Sequence, residues 1–186
     1  MAFHTYPLER ADALEDPSRY RYCSREELLA ALSVESNDIV ADLGSGTGFY
    51  TDDVAPFVEQ VYAVDVQEGM HDRYREKGVP GNVELVTAEV EELPLDDGAL
   101  DAAFSTMTYH EFATPAALAE LRRVLSPDGR LVTVDWSAEG AGESGPSRDE
   151  RFDLDRAVEH HREAGFAVER TEARPETFLL VARPEP

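Results

Sequence analysis

Basic residues are scarce in this chain, and lysine is nearly absent. Seventeen basic residues stand against 39 acidic ones, a formal net charge of −22, and Lys77 is the single lysine. Acids spread along the whole chain repel one another in dilute salt, and salt near 1 M shortens the range of that repulsion to about 3 Å. We therefore expect adaptation to the salt-loaded cytoplasm of an extreme halophile. An ordinary acidic mesophilic protein is the alternative, but it fits the shortage of lysine less well.

Several kinds of segment are absent from the sequence, and each absence argues against a class of protein. No basic face is available for nucleic-acid phosphates. No window has the roughly 18 consecutive apolar residues of a membrane-spanning helix, and we expect no secretory signal in the first ten residues. Cys23 is the one cysteine and cannot form an internal disulfide, which favours a cytoplasmic location. The chain does have 186 residues with 42% hydrophobic content, which suits one domain with a substantial core.

Apolar runs of β type alternate with helical patterns. The predicted strands lie at residues 38–43, 60–66, 83–88, 99–105 and 130–136. The predicted helices lie at residues 24–32, 49–57, 68–76 and 115–125. This alternation predicts βαβ units and a mainly parallel sheet with helices on both faces.

The last third of the chain changes pattern. A stretch rich in Gly, Ser and Glu at residues 137–147 predicts a flexible loop, and a helix at residues 152–164 follows. Two further strands, at residues 167–172 and 177–182, are too close for a parallel crossover and predict a hairpin. We expect a Rossmann-like, doubly wound α/β domain with a seven-stranded sheet that ends in an antiparallel hairpin. Its parts are an N-terminal lid (1–36), a binding core (37–136), the loop (137–150), and the closing helix and hairpin (151–186).

A glycine-rich loop follows the first predicted strand, with Gly44, Gly46 and Gly48 in the order G-x-G-x-G. Glycine lets the backbone turn tightly and approach a ligand closely. Dinucleotide-binding enzymes favour G-x-G-x-x-G, and Phe49 stands where the third glycine of that pattern would be. Asp42 adds a carboxylate that suits an amino group better than a pyrophosphate. The loop therefore predicts a nucleotide-like ligand with an amino group and disfavours a nicotinamide oxidoreductase.

Asp65 ends the second predicted strand, 21 residues after Gly44. An acid at this point can accept hydrogen bonds from both hydroxyls of a ribose. It could instead cap the next helix, but the order of strand, glycine loop and acid favours ligand binding.

Together these segments resemble the class I S-adenosylmethionine methyltransferases, and most closely the small ones related to the ubiquinone/menaquinone-biosynthesis group. The resemblance runs over residues 38–136. It is carried by DLGSGTG at residues 42–48, by Asp65, by AEVEELPL at residues 88–95 and by LSPDGRLV at residues 125–132. It implies S-adenosylmethionine as the cofactor and S-adenosylhomocysteine as the product.

The resemblance also implies roles for individual residues. Asp42 would bind the amino group of the cofactor, the glycine loop its methionine part, and Asp65 its ribose. Adenine would lie on Val66 and Met70, with Glu89 accepting from its exocyclic amine and the Val90 N–H on a ring nitrogen. In this chain Ala88 replaces the usual glycine, and Glu89 replaces an aspartate. The implied cofactor-binding residues are Asp42, Gly44, Ser45, Gly46, Gly48, Asp65, Val66, Met70, Glu89, Val90 and Ser105.

Candidate catalytic residues follow the fourth predicted strand, at the edge where substrates bind in such sheets. Tyr109, His110 and Glu111 are adjacent there. His110 could act as a base near neutral pH, with Glu111 as its orienter or as a second acid. The alternative is that both residues are solvated or begin the next helix. Asp135, near the end of the fifth strand, is a candidate substrate contact.

The N-terminal lid contains several aromatic residues and two other reactive side chains. His4, Tyr6, Tyr20, Tyr22 and Cys23 all lie before the first helix. Tyr20 or Tyr22 could touch the cofactor, although packing on the domain surface is the stronger interpretation for each. His160 and His161 are adjacent on a helix without further ligands at metal-binding spacing, so we expect no metal.

The resemblance implies methyl transfer, and a small-molecule acceptor is the leading interpretation, with an isoprenoid quinone or a similar ring as the example. A protein acceptor is the second possibility, and a nucleic-acid acceptor is less favoured because of the charge. A cofactor-binding module without catalysis is a third, from a different class. This fold supports many functions, so it does not select an acceptor.

Overall fold

A seven-stranded sheet forms the centre of the protein in a computed structural model that describes residues 5–186. Its strands are β1 (Ile39–Leu43), β2 (Gln60–Asp65), β3 (Val83–Thr87), β4 (Leu100–Thr106), β5 (Leu125–Trp136), β6 (Phe166–Ala173) and β7 (Thr177–Pro184). Their spatial order is β3-β2-β1-β4-β5-β7-β6. The first five pair in parallel, whereas β7 is antiparallel to both β5 and β6. The predicted Rossmann-like sheet with its closing hairpin is confirmed.

Helices cover both faces of this sheet. The α-helices are α1 (Arg25–Leu32), α2 (Phe49–Val54), α3 (Glu68–Lys77), α4 (Tyr109–Phe112), α5 (Pro115–Val124) and α6 (Leu154–Glu163). Short 3-10 helices span Leu8–Glu15, Pro17–Arg21, Ala55–Phe57 and Arg148–Glu150. Within the described residues, no helix is long and apolar enough to cross a membrane.

Alternation along each strand divides the core between the two faces. In β1, Val40 packs with the buried residues of α1 and α2 on one face. Its neighbour Ala41 packs with those of α5 and α6 on the other. A strand buried on both sides is expected to be continuously apolar, and four of the five β1 residues are buried. Asp42 is the one residue of β1 that is not apolar, since its side chain is a carboxylic acid.

The chain reverses its direction of winding at β1. It moves from β1 outward to β2 and β3, then returns to β4 and continues to β5 on the other side. The loops after β1 and β4 therefore diverge at the carboxyl edge, and such a switch point is where ligands bind in open α/β sheets.

The start of β5 differs most from the prediction, because β5 begins at Leu125 rather than at residue 130. Leu125 pairs with Leu100, and the register then shifts before Ala102 pairs with Arg130. The segment between them was not read as a strand because it contains Pro127 and Gly129, which are typical of turns.

The loop predicted at residues 137–147 is held by hydrogen bonds to its neighbours. The Glu176 carboxylate accepts from the N–H groups of Gly142 and Glu143. The Arg151 guanidinium donates to the Ser144 and Pro146 carbonyls. Flexibility of this loop stays a prediction.

Gly48→Ala tests how tightly the glycine loop is packed. Gly48 has φ +84°, and a Cβ on it would lie 2.1 Å from the buried Tyr74 ring. We expect a loss of about 2–4 kcal/mol in the free energy of unfolding, from left-handed backbone strain plus overpacking. Gly98→Ala is the control, since Gly98 has φ +68° but its nearest neighbour would be 3.9 Å away. Urea denaturation in molar KCl measures both, and equal losses would contradict the packing argument.

Candidate active site

The glycine loop is fixed by hydrogen bonds to the end of β2 and by contact with the residue before α4. The N–H groups of Gly44 and Ser45 both donate to the Val64 carbonyl at 2.9 Å. A Cβ on Gly44 would lie 2.7 Å from Thr108 Oγ1, and the same hydroxyl donates to the Leu43 carbonyl at 3.1 Å. Glycine is needed at position 44 because Thr108 occupies the space of a side chain.

Asp42 is a buried carboxylate with one oxygen unsatisfied. Its Oδ2 accepts from Thr51 Oγ1 at 2.6 Å, whereas Oδ1 has no partner among the described residues. Burial raises the pKa of Asp42 to about 7. An unpaired buried carboxylate oxygen is costly, and a ligand ammonium would satisfy it. Ser45 Oγ is likewise buried without a partner in the described chain, so the loop offers free polar atoms to a ligand.

Asp65 joins the glycine loop to the start of α3. Its Oδ2 accepts from the Gly46 N–H and its Oδ1 from the Gln67 N–H, both at 2.8 Å. Burial raises the pKa of Asp65, although these two hydrogen bonds oppose the shift. Each carboxylate oxygen can accept more than one hydrogen bond, so ribose hydroxyls could be added to these contacts. The helix-start alternative and the ligand-binding interpretation are thus compatible.

The residues predicted to hold adenine lie around the ends of β2 and β3. Val66 is 47% exposed, while Met70 and Val90 are buried. Glu89 is exposed, and the Ala88 N–H donates to the Asp65 carbonyl at 3.2 Å, which brings the two strand ends together. An exposed apolar side chain beside Asp65 fits a flat ring, and these contacts stay predictions.

Ser105 differs from the other predicted cofactor residues because its hydroxyl already has a partner. It is 1% exposed, and its Oγ lies 3.1 Å from Thr108 Oγ1. The structure therefore gives Ser105 a role in positioning Thr108, and through it Gly44.

His110 and Asp135 form a hydrogen-bonded pair at the carboxyl ends of β4 and β5. Asp135 is fully buried. Its Oδ1 lies 2.9 Å from His110 Nδ1, and its Oδ2 accepts from the His110 backbone N–H at 2.7 Å. The carboxylate therefore orients the ring from the Nδ1 side, and Nε2 lies 3.9 Å from Glu111 Oε1. The candidate substrate contact at Asp135 is thus an orienting contact to His110.

His110 and Glu111, the two neighbouring residues of α4, both have shifted pKa values. Burial opposes protonation of His110, but the bonded Asp135 carboxylate outweighs it and raises the pKa of His110. Burial raises the pKa of Glu111 to about 7, with His110 opposing the shift and Asp65 adding to it. A histidine whose pKa is raised by a bonded carboxylate, beside a carboxyl group whose pKa is raised by burial, is an arrangement suited to proton transfer.

Tyr109 packs in the core, away from this pair. Its side chain is 1% exposed, and its hydroxyl lies 3.1 Å from His160 Nδ1. Its ring packs against Phe112, Phe152 and His161. Successive residues of a helix face different directions, which explains why Tyr109 and His110 diverge. We therefore leave Tyr109 out of the catalytic residues proposed below.

The N-terminal segment contacts the glycine loop, and its role as a lid stays a prediction. Leu14 Cδ1 is 3.2 Å from the position of a Cβ on Gly46, and Glu15 accepts from Thr47 Oγ1. The Tyr20 hydroxyl donates to Asp53 at 2.8 Å, and Tyr22 packs edge-on against Trp136. Both tyrosines thus have packing contacts on the domain. His4 lies outside the described residues.

No metal site stands out in the described part of the chain, where no group of three or more His, Cys, Asp or Glu residues is arranged around a common point. His161 is buried and its ring contacts the Ala157 carbonyl and Thr133 Oγ1. Burial lowers the pKa of His161 to about 4, so it is a neutral core residue.

Sheet order, glycine loop and strand-end acid together define the class I S-adenosylmethionine-dependent methyltransferases. A family model described as Methyltransferase domain matches residues 41–133, half of the chain, so the chain belongs to this family. The unsatisfied oxygen of Asp42 and the position of Asp65 fit the amino group and ribose of S-adenosylmethionine, which is the cofactor of this class.

Known structures and sequences agree with this classification. An S-adenosylmethionine-dependent methyltransferase of Aquifex aeolicus is 30% identical with a TM-score of 0.87, over 96% of this chain and 98% of that one. A Haloferax volcanii chain solved in a complex with the Trm112 methyltransferase activator shares the fold, with a TM-score of 0.82 at 19% identity over 96% and 94% of the two chains.

A ubiquinone/menaquinone biosynthesis C-methyltransferase of Ectopseudomonas mendocina is 35% identical over 58% of this chain and 45% of that protein. The chain spans less than half the length of the curated relatives that it matches first.

Replacing Asp135 by Asn tests the orientation and charge of His110. Because the Asp135 carboxylate raises the pKa of His110, we expect that pKa to fall in Asp135→Asn, as followed by NMR of the imidazole signals against pH. Glu111→Gln should lower it less, since that carboxylate is 3.9 Å away.

The His110–Asp135 pair also makes the free energy of unfolding depend on pH. A histidine whose pKa is higher in the folded state than in the unfolded state stabilises the folded protein. This contribution is complete below the unfolded-state pKa, about 6.5, and it is lost as pH rises through the folded-state pKa. In Asp135→Asn, the free energy of unfolding should therefore decrease less between these two pKa values than it does in the wild type. An unchanged His110 titration in the variant would show that the contact is weak.

Proposed function

We propose that this protein transfers the methyl group of S-adenosylmethionine to a small-molecule acceptor, with His110 as general base. The observation that carries the proposal is the pair of buried Asp135 and partly buried His110 at the carboxyl edge of the sheet, where Asp42 and Asp65 also lie. A histidine oriented by a buried carboxylate at the substrate edge of this fold is the arrangement of a general base.

The cofactor supplies an activated methyl group on a sulfonium when it is bound, so the protein mainly has to align the acceptor and exclude water. Alignment of this kind can account for about 7–11 kcal/mol of a barrier at best. Asp42 would hold the amino group and Asp65 the ribose. His110 Nε2 would take the proton of the acceptor as its nucleophilic atom attacks, and Asp135 would stabilise the resulting imidazolium. Glu111, protonated near neutral pH, could orient the acceptor.

Two features support a small acceptor. The net charge of −22 opposes the approach of nucleic acid. The relatives named as quinone-biosynthesis C-methyltransferases act, by those names, in the synthesis of a small ring compound, and we propose a ring with an ionisable hydroxyl for this chain. A protein acceptor and a non-catalytic binding module are the alternatives that the tests below separate.

The acid excess supports a further part of the proposal, namely that the protein works in the cytoplasm of a halophile. With Lys77 as its one lysine, the chain depends on salt to screen its own repulsion. The measurements below are therefore set in molar KCl.

Calorimetric titration with S-adenosylmethionine and S-adenosylhomocysteine tests the cofactor. We expect micromolar binding of both, weakened tenfold or more in Asp65→Ala because the ribose contact is removed; tenfold corresponds to about 1.4 kcal/mol. Asp96→Ala removes the same charge from an exposed loop position and should bind as the wild type does. Failure of both ligands to bind to folded wild-type protein would exclude the cofactor.

His110→Gln tests catalysis separately from binding. We expect turnover to fall by about 10²–10⁴-fold, the usual range for a lost general base, while affinity for S-adenosylhomocysteine changes less than threefold. Transfer is followed with methyl-labelled cofactor and a panel of phenols, catechols and hydroquinones. His160→Gln is the control on α6. Wild-type rates in His110→Gln would remove the base from the mechanism. An absence of transfer by the wild type to every panel member would contradict the proposed acceptor class and leave a protein acceptor and a non-catalytic module.

A further inference from the structure

Arg19 is held directly over the start of α2, where the glycine loop ends. Its guanidinium carbon lies 5.1 Å from the centroid of the Phe49 ring and 5.2 Å from that of Tyr50. Its Nη1 donates to the Leu14 carbonyl at 2.7 Å, and the Tyr50 hydroxyl donates to the Arg19 carbonyl at 3.2 Å. Packing on two rings and a backbone hydrogen bond thus fix a cation on the methionine side of the proposed cofactor site.

Arg19 and Asp42 both contact α2, Arg19 through the Phe49 and Tyr50 rings and Asp42 through Thr51 Oγ1, and no ion pair joins them within the described residues. The charges of Arg19 and Asp42 interact, yet Asp42 Oδ1 has no partner among the described residues. Glu15 also interacts with Arg19, but its carboxylate is already bonded to Thr47 and Lys77. A guanidinium has five N–H donors, and only the one to Leu14 forms a hydrogen bond within the described chain. One positive and one negative group with unused hydrogen-bonding capacity therefore lie at the same end of the loop.

Four backbone N–H groups of the glycine loop already donate to acceptors within the protein. The N–H groups of Gly44 and Ser45 donate to Val64, that of Gly48 donates to Ser45, and that of Gly46 donates to Asp65. These four N–H groups are therefore already used within the protein, and a side-chain donor beside the loop would add to what remains for a negatively charged ligand group. The arginine side chain suits this role, because its planar fork binds a carboxylate through two parallel hydrogen bonds.

We propose that Arg19 binds the α-carboxylate of the cofactor's amino acid part, while Asp42 binds the adjacent α-ammonium. The proposal rests on the S-adenosylmethionine site described above and adds a residue from the N-terminal segment to it. A zwitterionic amino acid group matches the two protein charges at once. The cofactor carboxylate would then also fix the N-terminal segment over the loop, because Arg19 belongs to that segment.

The test compares two ligands that differ only in the carboxylate. S-adenosylhomocysteine carries it, and its decarboxylated analogue S-adenosyl-3-thiopropylamine does not. Calorimetry in molar KCl on wild type and Arg19→Gln should show a loss of tenfold or more for the first ligand and less than twofold for the second. Arg19→Lys should recover part of the loss, since it restores the charge without the fork. Arg21→Gln, an exposed arginine on the same 3-10 helix, is the matched control and should leave both affinities unchanged.

Each remaining outcome overturns the proposal. Equal weakening of both ligands would mean that Arg19 only holds the N-terminal segment in place. No weakening of either would mean that the carboxylate is bound elsewhere. If the wild type binds neither ligand, the cofactor site itself is wrong and this inference falls with it, whereas tight binding of both by wild type and Arg19→Gln alike overturns the role of Arg19 alone.

Discussion

The hydrogen bonds of Asp65 are the contact on which the rest of the site depends. One carboxylate at the end of β2 fixes both the Gly46 N–H in the loop after β1 and the Gln67 N–H before α3. Pairing of β1 with β2 fixes the two strand ends, and Asp65 extends that order to the middle of the loop, which begins beside the unsatisfied oxygen of Asp42. The Thr108 contact closes the other side, because its hydroxyl joins the end of β1 to the segment after β4. The site is thus assembled from three strand ends that meet at the switch point.

The buried carboxyl group of Asp42 reduces the stability of the folded chain when it is ionised. Burial raises the pKa of Asp42 to about 7, so the folded state binds a proton more tightly than the unfolded state does. Stability therefore falls as pH rises from the unfolded value, about 3.9, through the folded one. A ligand ammonium bound to Asp42 Oδ1 would offset that cost. Residues that lower the stability of the folded state in this way are expected at functional sites.

Local patterns predicted the strands, the helices, the glycine loop and Asp65, because each depends on neighbours in the sequence. Strand periodicity and the G-x-G-x-G spacing are local signals of this kind. The pair of His110 and Asp135 was predicted only as two separate candidates, since they are 25 residues apart and meet only when β4 and β5 align. The burial of Tyr109 was beyond such patterns for a related reason: the contact of its hydroxyl with His160 joins α4 to α6, 51 positions apart in the sequence. Arg19 and Leu14 carry no sequence signal, and only the folded arrangement places them on the loop.

Lys77 shows how a basic residue of this acidic chain stabilises carboxylates that lie close together. Lys77 Nζ lies 2.7 Å from Asp52 and 3.2 Å from Glu15, so it joins the N-terminal segment to α2 and α3. Partly exposed pairs of this kind contribute about 1 kcal/mol or less each, and their effect lies in relieving repulsion between the two acids. Arg19 has a comparable position beside Asp42, but there the acid keeps a free oxygen. A cation that leaves its neighbouring carboxylate unsatisfied adds little to the folded state alone, and this is the reason to look for its partner in the ligand.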